Sequence, residues 1–536
     1  MATVIPAGTV KAMLSDGEEI ALLDVRETGQ YADGHPFFAV PLAYSRFEMD
    51  LERLVPRRSA RVVLMDDGDG VAEQAAKRAE GLGYTSVAIM EGGAPAWKAA
   101  GYTLFDGVNL PSKTFGELVE IERHTPRISA DDLVAMQKRG DNLIIVDGRT
   151  WAEYKRFNIP GGISCPNGEL ALRIDTIAPD PKTKIVVNCA GRTRSIIGAQ
   201  TLIDLGVPNE VVALENGTQG WFLAGYEVQR GASAKYPEPA LSSEKLAERR
   251  ARADAHAVKC GVRAVTSADV RTWLADQHRT TYLLDVRTEE EVAANPLAGF
   301  VHAPGGQLQQ ATDQWVGVKG ARMVLVDGEG VRAPMVAAWL RQLGHEACVL
   351  EDRENAATIA AALPADRQPR GPEKLKARAK ELRPVTPQGL SALLWSGGGV
   401  ALDLRASQDY RDGHIPGSVW ATRPRLANAV ADVAQPIVLI ADSPEIAAAA
   451  SLDLAEAGAR EISVLAGGAK AWSADGQTLN ATPDSPPDAE RIDFVFHTHQ
   501  RHDGNVEAAR AYLAWEVDLV ARLDDQERGV FRIAGH

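Results

Sequence analysis

Cysteine is scarce in this chain of 536 residues, occurring four times, at positions 165, 189, 260 and 348. That excludes a disulfide framework, and because no two lie within four positions of each other the spacing of a cysteine zinc site is missing as well. Any cysteine chemistry must run on single thiols. Aromatic residues are few, at 6%, and basic residues are outnumbered, 58 Lys and Arg against 72 Asp and Glu for a net charge of −14. That balance repels polyanions, and no Lys/Arg block with interleaved aromatics reverses it. No apolar run approaches the roughly 18 residues of a membrane span, and the N-terminal stretch lacks a basic segment followed by an apolar one. The expectation is a cytoplasmic protein that binds neither nucleic acid nor membrane. Neither a P-loop nor a complete Gly-x-Gly-x-x-Gly follows an apolar run, so nucleotide binding has no support.

What the chain does contain is repetition. At about 100–200 residues per domain its length asks for three to five domains, and one pattern occurs four times. An apolar run ends in Asp-x-Arg at Asp24/Arg26, Asp147/Arg149, Asp285/Arg287 and Asp403/Arg405. A second apolar run follows each, ending at Asp66, Cys189, Asp327 and Asp442, at one constant distance in three copies and three residues nearer in the fourth. Then come a helix-like stretch and a third apolar run, an alternation that predicts a parallel sheet with covering helices. Three copies close with Gly and a Trp, at Trp97, Trp221 and Trp472, whereas the third lacks this ending and is the most eroded. Expected domains run 1–124, 125–235, 259–370 and 384–484. Charged, Ala-rich helical linkers at 236–258 and 371–383 join them, and a tail at 485–536 carries a helix over 505–525 with Leu513, Val517 and Val520 at helical spacing.

Of the four equivalent strand ends only the second carries a nucleophile. Cys189 stands directly after the apolar IVVN and directly before a helix, at the carboxyl end of a strand where open α/β sheets bind ligands. The helix start, with Arg192 and Arg194 in the same loop, is expected to depress the thiol below its ordinary value of about 8.5. Gly191 lets successive backbone amides converge on one anion. The sister loops place acids at this point and are expected to be inactive.

The repeated unit resembles the rhodanese domain of sulfurtransferases. The resemblance rests on Asp-x-Arg with a following acidic/aromatic pair, a His-x-Pro-Gly turn (nearly complete in 402–419, with Asn158 for the His in the second copy), the strand-Cys-loop-helix, and the closing Gly and Trp. It implies an α/β protein of four tandem rhodanese-like domains, each a parallel sheet with helices on both faces, plus a C-terminal helical tail. It further implies one catalytic domain, in which Cys189 takes sulfane sulfur from a donor, becomes a persulfide and passes the sulfur to a thiol or cyanide, with no cofactor and no metal. Ala190, Gly191, Arg192, Thr193, Arg194 and Ser195 would bind substrate. Asp147, Arg149 and Glu153 would be structural. Family phosphatases and arsenate reductases place Arg six positions after the cysteine; here Ser195 stands there, which favours sulfur transfer. The arginines favour an anionic donor such as thiosulfate, with a persulfide donor left open. A protein acceptor and a homodimer are open as well, as is the reading in which the chain is a persulfide relay or protein-binding scaffold.

Weaker signals are Cys165, a candidate second thiol, and Glu169, a candidate pocket residue. His497, His499 and His502 read as a polar loop rather than a metal site, since no acid or cysteine partner has ligand spacing.

Overall fold

The computed structural model describes residues 2–364, 367–431 and 435–534. Each copy of the repeat folds around its own five-stranded parallel sheet. With strands numbered in chain order inside a copy, the order across every sheet is 1-5-4-2-3. The strands in the middle of each sheet, such as Leu143–Asp147 and Lys184–Asn188 or Ala21–Asp24 and Val62–Met65, are buried almost throughout. Helices covering a parallel sheet require such uninterrupted apolar runs. The four α/β domains and the helical tail implied by the sequence are all present.

The Asp-x-Arg motif closes the turn after the second strand in the same way four times. The Arg Nε donates to its Asp at 2.9–3.0 Å. A terminal nitrogen donates to a backbone carbonyl eight residues further on, Gly34, Phe157, Asn295 or Gly413. A buried, paired guanidinium holding a carbonyl is a brace, which is why the motif recurs even in eroded copies.

The first and fourth domains make one compact unit; the second and third, with the chain from Thr498 onward, make the other. Within the first, Arg423 is buried and donates to Glu48 at 2.5 and 2.8 Å and to the Tyr44 carbonyl at 3.1 Å. Helix Gly371–Glu381 seats Leu375 against Ala448 and Ala449.

The second unit holds Cys189. Its second-domain strands are β1 (Arg127–Ile128), β2 (Leu143–Asp147), β3 (Gly162–Ser164), β4 (Lys184–Asn188) and β5 (Val211–Leu214). The helices used below are α1 (Leu110–Arg123), α2 (Asn167–Ile177), α3 (Thr193–Asp204), α4 (Gly217–Leu223), α5 (Ser243–Lys259), α6 (Arg332–Gln342) and α7 (Val506–Asp518). Where the second and third domains meet, a Cβ on Gly168 would lie 2.5 Å from the Gly306 nitrogen, so only glycine permits the approach. Around it Arg249 of α5 donates to Asp175 at 2.5 Å, and Trp339 of α6 donates to the Thr201 hydroxyl at 2.8 Å.

The tail helix departs from its expected orientation. Its buried residues are Ala509, Tyr512, Trp515 and Glu516, with Leu519 just beyond, whereas Val517 is 54% exposed. The apolar spacing over Leu513, Val517 and Val520 marked the neighbouring stripe. The aromatic rings and the Glu516 carboxylate take the inner face because that face covers a polar pocket rather than a core.

Candidate active site

Cys189 follows the last residue of β4, and its carbonyl is fixed by the Thr218 amide at 2.8 Å while Gln219 N donates to the Ala190 carbonyl at 3.0 Å. The clamp depends on Gly217, which has φ +51°; a Cβ there would sit 2.3 Å from the Cys189 oxygen. Gly217→Ala is therefore expected to displace the Cys189 loop and lower transfer activity by about a hundredfold, since a shift of about 1 Å at a reacting group costs that much. Activity and the near-ultraviolet CD of Trp221 check this together.

The thiol is buried and lines a pocket of about 230 Å³. Ala190, Gly191, Arg192, Thr193 and Arg194 from the loop line it, with Glu153 from the second domain, Gln307 and Gln310 from the third, Lys113 from α1, and Arg501, His502, Tyr512 and Glu516 from the tail. Ser195 does not line it, but its hydroxyl and amide favour the Cys189 anion.

The two loop arginines behave differently. Arg192 turns toward α1, donating to Glu117 at 2.7 and 2.8 Å, to Glu120, and to Asn216 at 3.2 Å. Its charge is neutralised there. Arg194 is held by Glu153 at 2.7 and 2.8 Å and acts on the thiol. Burial alone would raise Glu153, yet Arg194 and the Thr150 hydroxyl hold it at about 2. Because that lies below its ordinary 4.5, the pair supports the fold above that value and is lost as pH falls from about 4.5 toward 2.

The expected depression of the thiol is not found. Burial pushes Cys189 above its ordinary value, Arg194 and Ser195 pull it down, and Glu516 adds a further upward push. Burial is the largest cause, and two features outside the reach of spacing add to it. One loop arginine faces away, and a tail carboxylate, its Oε1 accepting from the Thr193 hydroxyl at 2.7 Å, stands over the loop.

Asp147 and Arg149 form the brace of this domain, joined by Asn188 Nδ2 at 3.3 Å from Asp147. Cys165 is not a pocket residue. It is fully buried in a core cluster with Val146, Leu170 and Ile174, and burial pushes its thiol well above the ordinary value. The candidate second thiol is thus a core side chain: the segment leads into α2, whose apolar face packs under the sheet. Glu169 also lies outside the pocket, accepting from Arg173 at 2.7 Å and Arg332 at 3.0 Å. Among the described residues no group of three His, Cys, Asp or Glu is placed to hold a metal.

In two of the other three domains the equivalent loop is filled by its own carboxylate. Asp66 accepts from the amides of Gly68, Gly70 and Ala72 at 2.8, 3.2 and 2.9 Å. Asp327 accepts from Gly330, Val331 and Arg332 at 2.9, 2.9 and 2.8 Å. Convergent amides at a helix start form an anion receptor, and in these two domains the receptor is occupied from within. In the fourth domain the register differs from expectation. Asp403 pairs with Ile440, as Asp147 does with Asn188, so Ala441 and not Asp442 takes the cysteine's position. The shorter spacing there arises ahead of the strand, since Ile440 stands 37 residues after Asp403 where Asn188 stands 41 after Asp147.

Sequence reasoning missed Lys113, Arg501, Tyr512 and Glu516, and it read His502 as part of a polar loop without placing it at the pocket. Only the amphipathic tail helix signalled that something docks, and it did so without saying where.

A family model for the rhodanese-like domain matches residues 6–100, 129–224, 266–352 and 386–475. The crystal structure of a thiosulfate sulfurtransferase from Pseudomonas aeruginosa is 40% identical, with a TM-score of 0.88 over 99% of this chain and all of its own. An HTH-type transcriptional regulator of Mycobacterium tuberculosis is 32% identical over 105 residues, which is 20% of this chain; the match spans 45% of that regulator. A rhodanese-related protein from Thermoplasma volcanium is 29% identical over 19% of this chain, with a TM-score of 0.17.

Proposed function

This chain belongs to the rhodanese-like domain family, and from that premise we propose that it is a sulfurtransferase whose chemistry runs through Cys189 of the second domain. The observation that carries the reading is the pocket itself. Of the loops at this position, one presents a thiol to a cavity of about 230 Å³, while two are closed by their own aspartates and one carries alanine. The 40% identity over the full length of a thiosulfate sulfurtransferase supports the same class of donor.

The thiolate attacks the outer sulfur of thiosulfate. A Cys–S–S bond forms, the S–S bond of the donor breaks, and sulfite leaves with the electron pair. A cyanide or thiolate acceptor then attacks the terminal sulfur of the persulfide, forming thiocyanate or a new persulfide and returning the Cys189 thiolate. No electrons enter or leave. Arg194 supplies positive charge beside the sulfur as it becomes anionic, and the loop amides receive the persulfide as the Asp66 and Asp327 carboxylates are received in the sister loops. Thiosulfate with cyanide, read as thiocyanate, tests the reading: steady turnover is expected, and its absence with any small donor would overturn it.

Enclosure favours this over a persulfide relay to a protein. Cys189 is 3% exposed and the tail helix covers its pocket, which admits small molecules more readily than a partner's thiol.

The raised thiol has a consequence for pH. Thiolate appears only as pH rises past the ordinary thiol range, so alkylation of the free enzyme by iodoacetamide is expected to be slow at neutral pH and to climb steadily above it. Mass spectrometry of the Cys189 peptide across pH checks it, and a plateau reached below neutrality would contradict it.

A further inference from the structure

Two of the four cations in the Cys189 pocket are already committed, Arg192 to Glu117 and Glu120 and Arg194 to Glu153. The other two come from outside the second domain. Lys113 of α1 is 5% exposed and, among the described residues, its ammonium has neither a hydrogen bond nor an ion pair. Its ammonium lies over the rings of Trp515 and Tyr512, 4.7 and 5.3 Å from their centres. Arg501 of the tail stacks on the other aromatic partner they share, 4.0 Å from the Tyr512 centroid, with Thr498 and His502 as its bonded neighbours and no carboxylate among them.

A buried lysine with no carboxylate within bonding distance is costly and persists where something else completes its charge balance. The pocket offers room for it, since about 230 Å³ exceeds what a single sulfur on Cys189 fills. We propose that Lys113 and Arg501 form a second anion subsite in this pocket, which takes the charged end, sulfonate or carboxylate, of the sulfur donor while the loop takes its sulfane sulfur. The proposal rests on the reading of Cys189 as the sulfur-accepting group. It makes donor specificity a property of the helix ahead of the domain and of the tail, not of the cysteine loop.

Burial lowers Lys113 to about 7. The groups that act on it are Glu516 of α7, which raises it, Arg501 of the tail and Arg194 of α3, which lower it, and Asp313 of the third domain, which raises it. The lysine is charged below that value and loses its proton as pH rises through it, so anion recruitment weakens in that direction.

The test compares alkylation of Cys189 by iodoacetate, which is anionic, and by iodoacetamide, which is neutral, in the full chain on the acid side of neutrality. Their ratio cancels the thiolate fraction and reports recruitment of negative charge. Lys113→Met and Arg501→Gln are each expected to lower the ratio about tenfold, the effect of one charge at about 1.4 kcal/mol. In wild type the ratio falls as pH rises through 7, and in Lys113→Met it stays flat. KM for thiosulfate rises by a similar factor with kcat little changed. Running 3-mercaptopyruvate beside thiosulfate shows which charged end the subsite takes, by which KM moves. An unchanged ratio in both folded variants overturns the subsite; if Lys113→Met does not fold, Arg501→Gln and the wild-type pH profile decide it. A lowered ratio in a protein that takes no sulfur would keep the subsite and remove the sulfurtransferase reading.

Discussion

Cys189→Ser is expected to reduce thiosulfate-to-cyanide turnover by at least about a thousandfold, because a serine hydroxyl at neutral pH supplies almost no anion and forms no persulfide. The substitution removes little else. Cys189 makes its structural bonds through its backbone carbonyl, to Thr218, and the loop amides and the Arg194–Glu153 pair are independent of the sulfur. The variant should therefore melt with the wild type. A serine variant with substantial turnover would mean that another of the thiols carries the reaction. None is well placed to do so: Cys165 and Cys348 are core residues, and burial raises Cys260 to about 11.

The second large effect concerns stability and lies in the third domain. Asp327 is buried, and its carboxylate accepts three amide N–H groups at the start of α6 while facing Arg332 at 4.0 Å. Asp327→Ala leaves those donors without an acceptor. At about 1–3 kcal/mol for each buried unsatisfied group, and with partial relaxation of the loop, the loss is about 3 kcal/mol. Thermal unfolding should begin several degrees lower, and hydrogen exchange at Gly330, Val331 and Arg332 should rise most. Asp327→Asn, which keeps one acceptor oxygen, should fall between. Equal stability of the alanine and wild-type proteins would show that the carboxylate does not fill the receptor.

Much of this was legible before any coordinates. Asp-x-Arg and the second apolar run recur because the brace and the buried central strands are required in every copy, and their repetition revealed both the fold and the odd loop at Cys189. What stayed hidden was direction. Spacing placed Arg192 and Arg194 in one loop, but Arg192 turns toward α1 because Glu117 and Glu120 lie one turn apart on that helix, which sequence assigned to the end of the preceding domain. The cysteine position in the fourth copy was displaced by one residue, since the apolar run reads on through Ala441 to an aspartate while the pairing of Asp403 with Ile440 gives Ala441 the register. The tail showed its amphipathic character but not its inner face, because a helix covering a polar pocket turns Tyr512 and Glu516 inward, against the apolar rule used to orient it.

In the proposed reaction one thiol among four domains carries the sulfur. Its most direct measurement is mass spectrometry of the wild-type chain and Cys189→Ser after exposure to thiosulfate and before addition of cyanide. The expected result is a peptide heavier by one sulfur atom, spanning Cys189 and found in the wild type alone, which reverts when cyanide is added. Sulfur on the peptide of Cys165, Cys260 or Cys348, or persisting in Cys189→Ser, would contradict it.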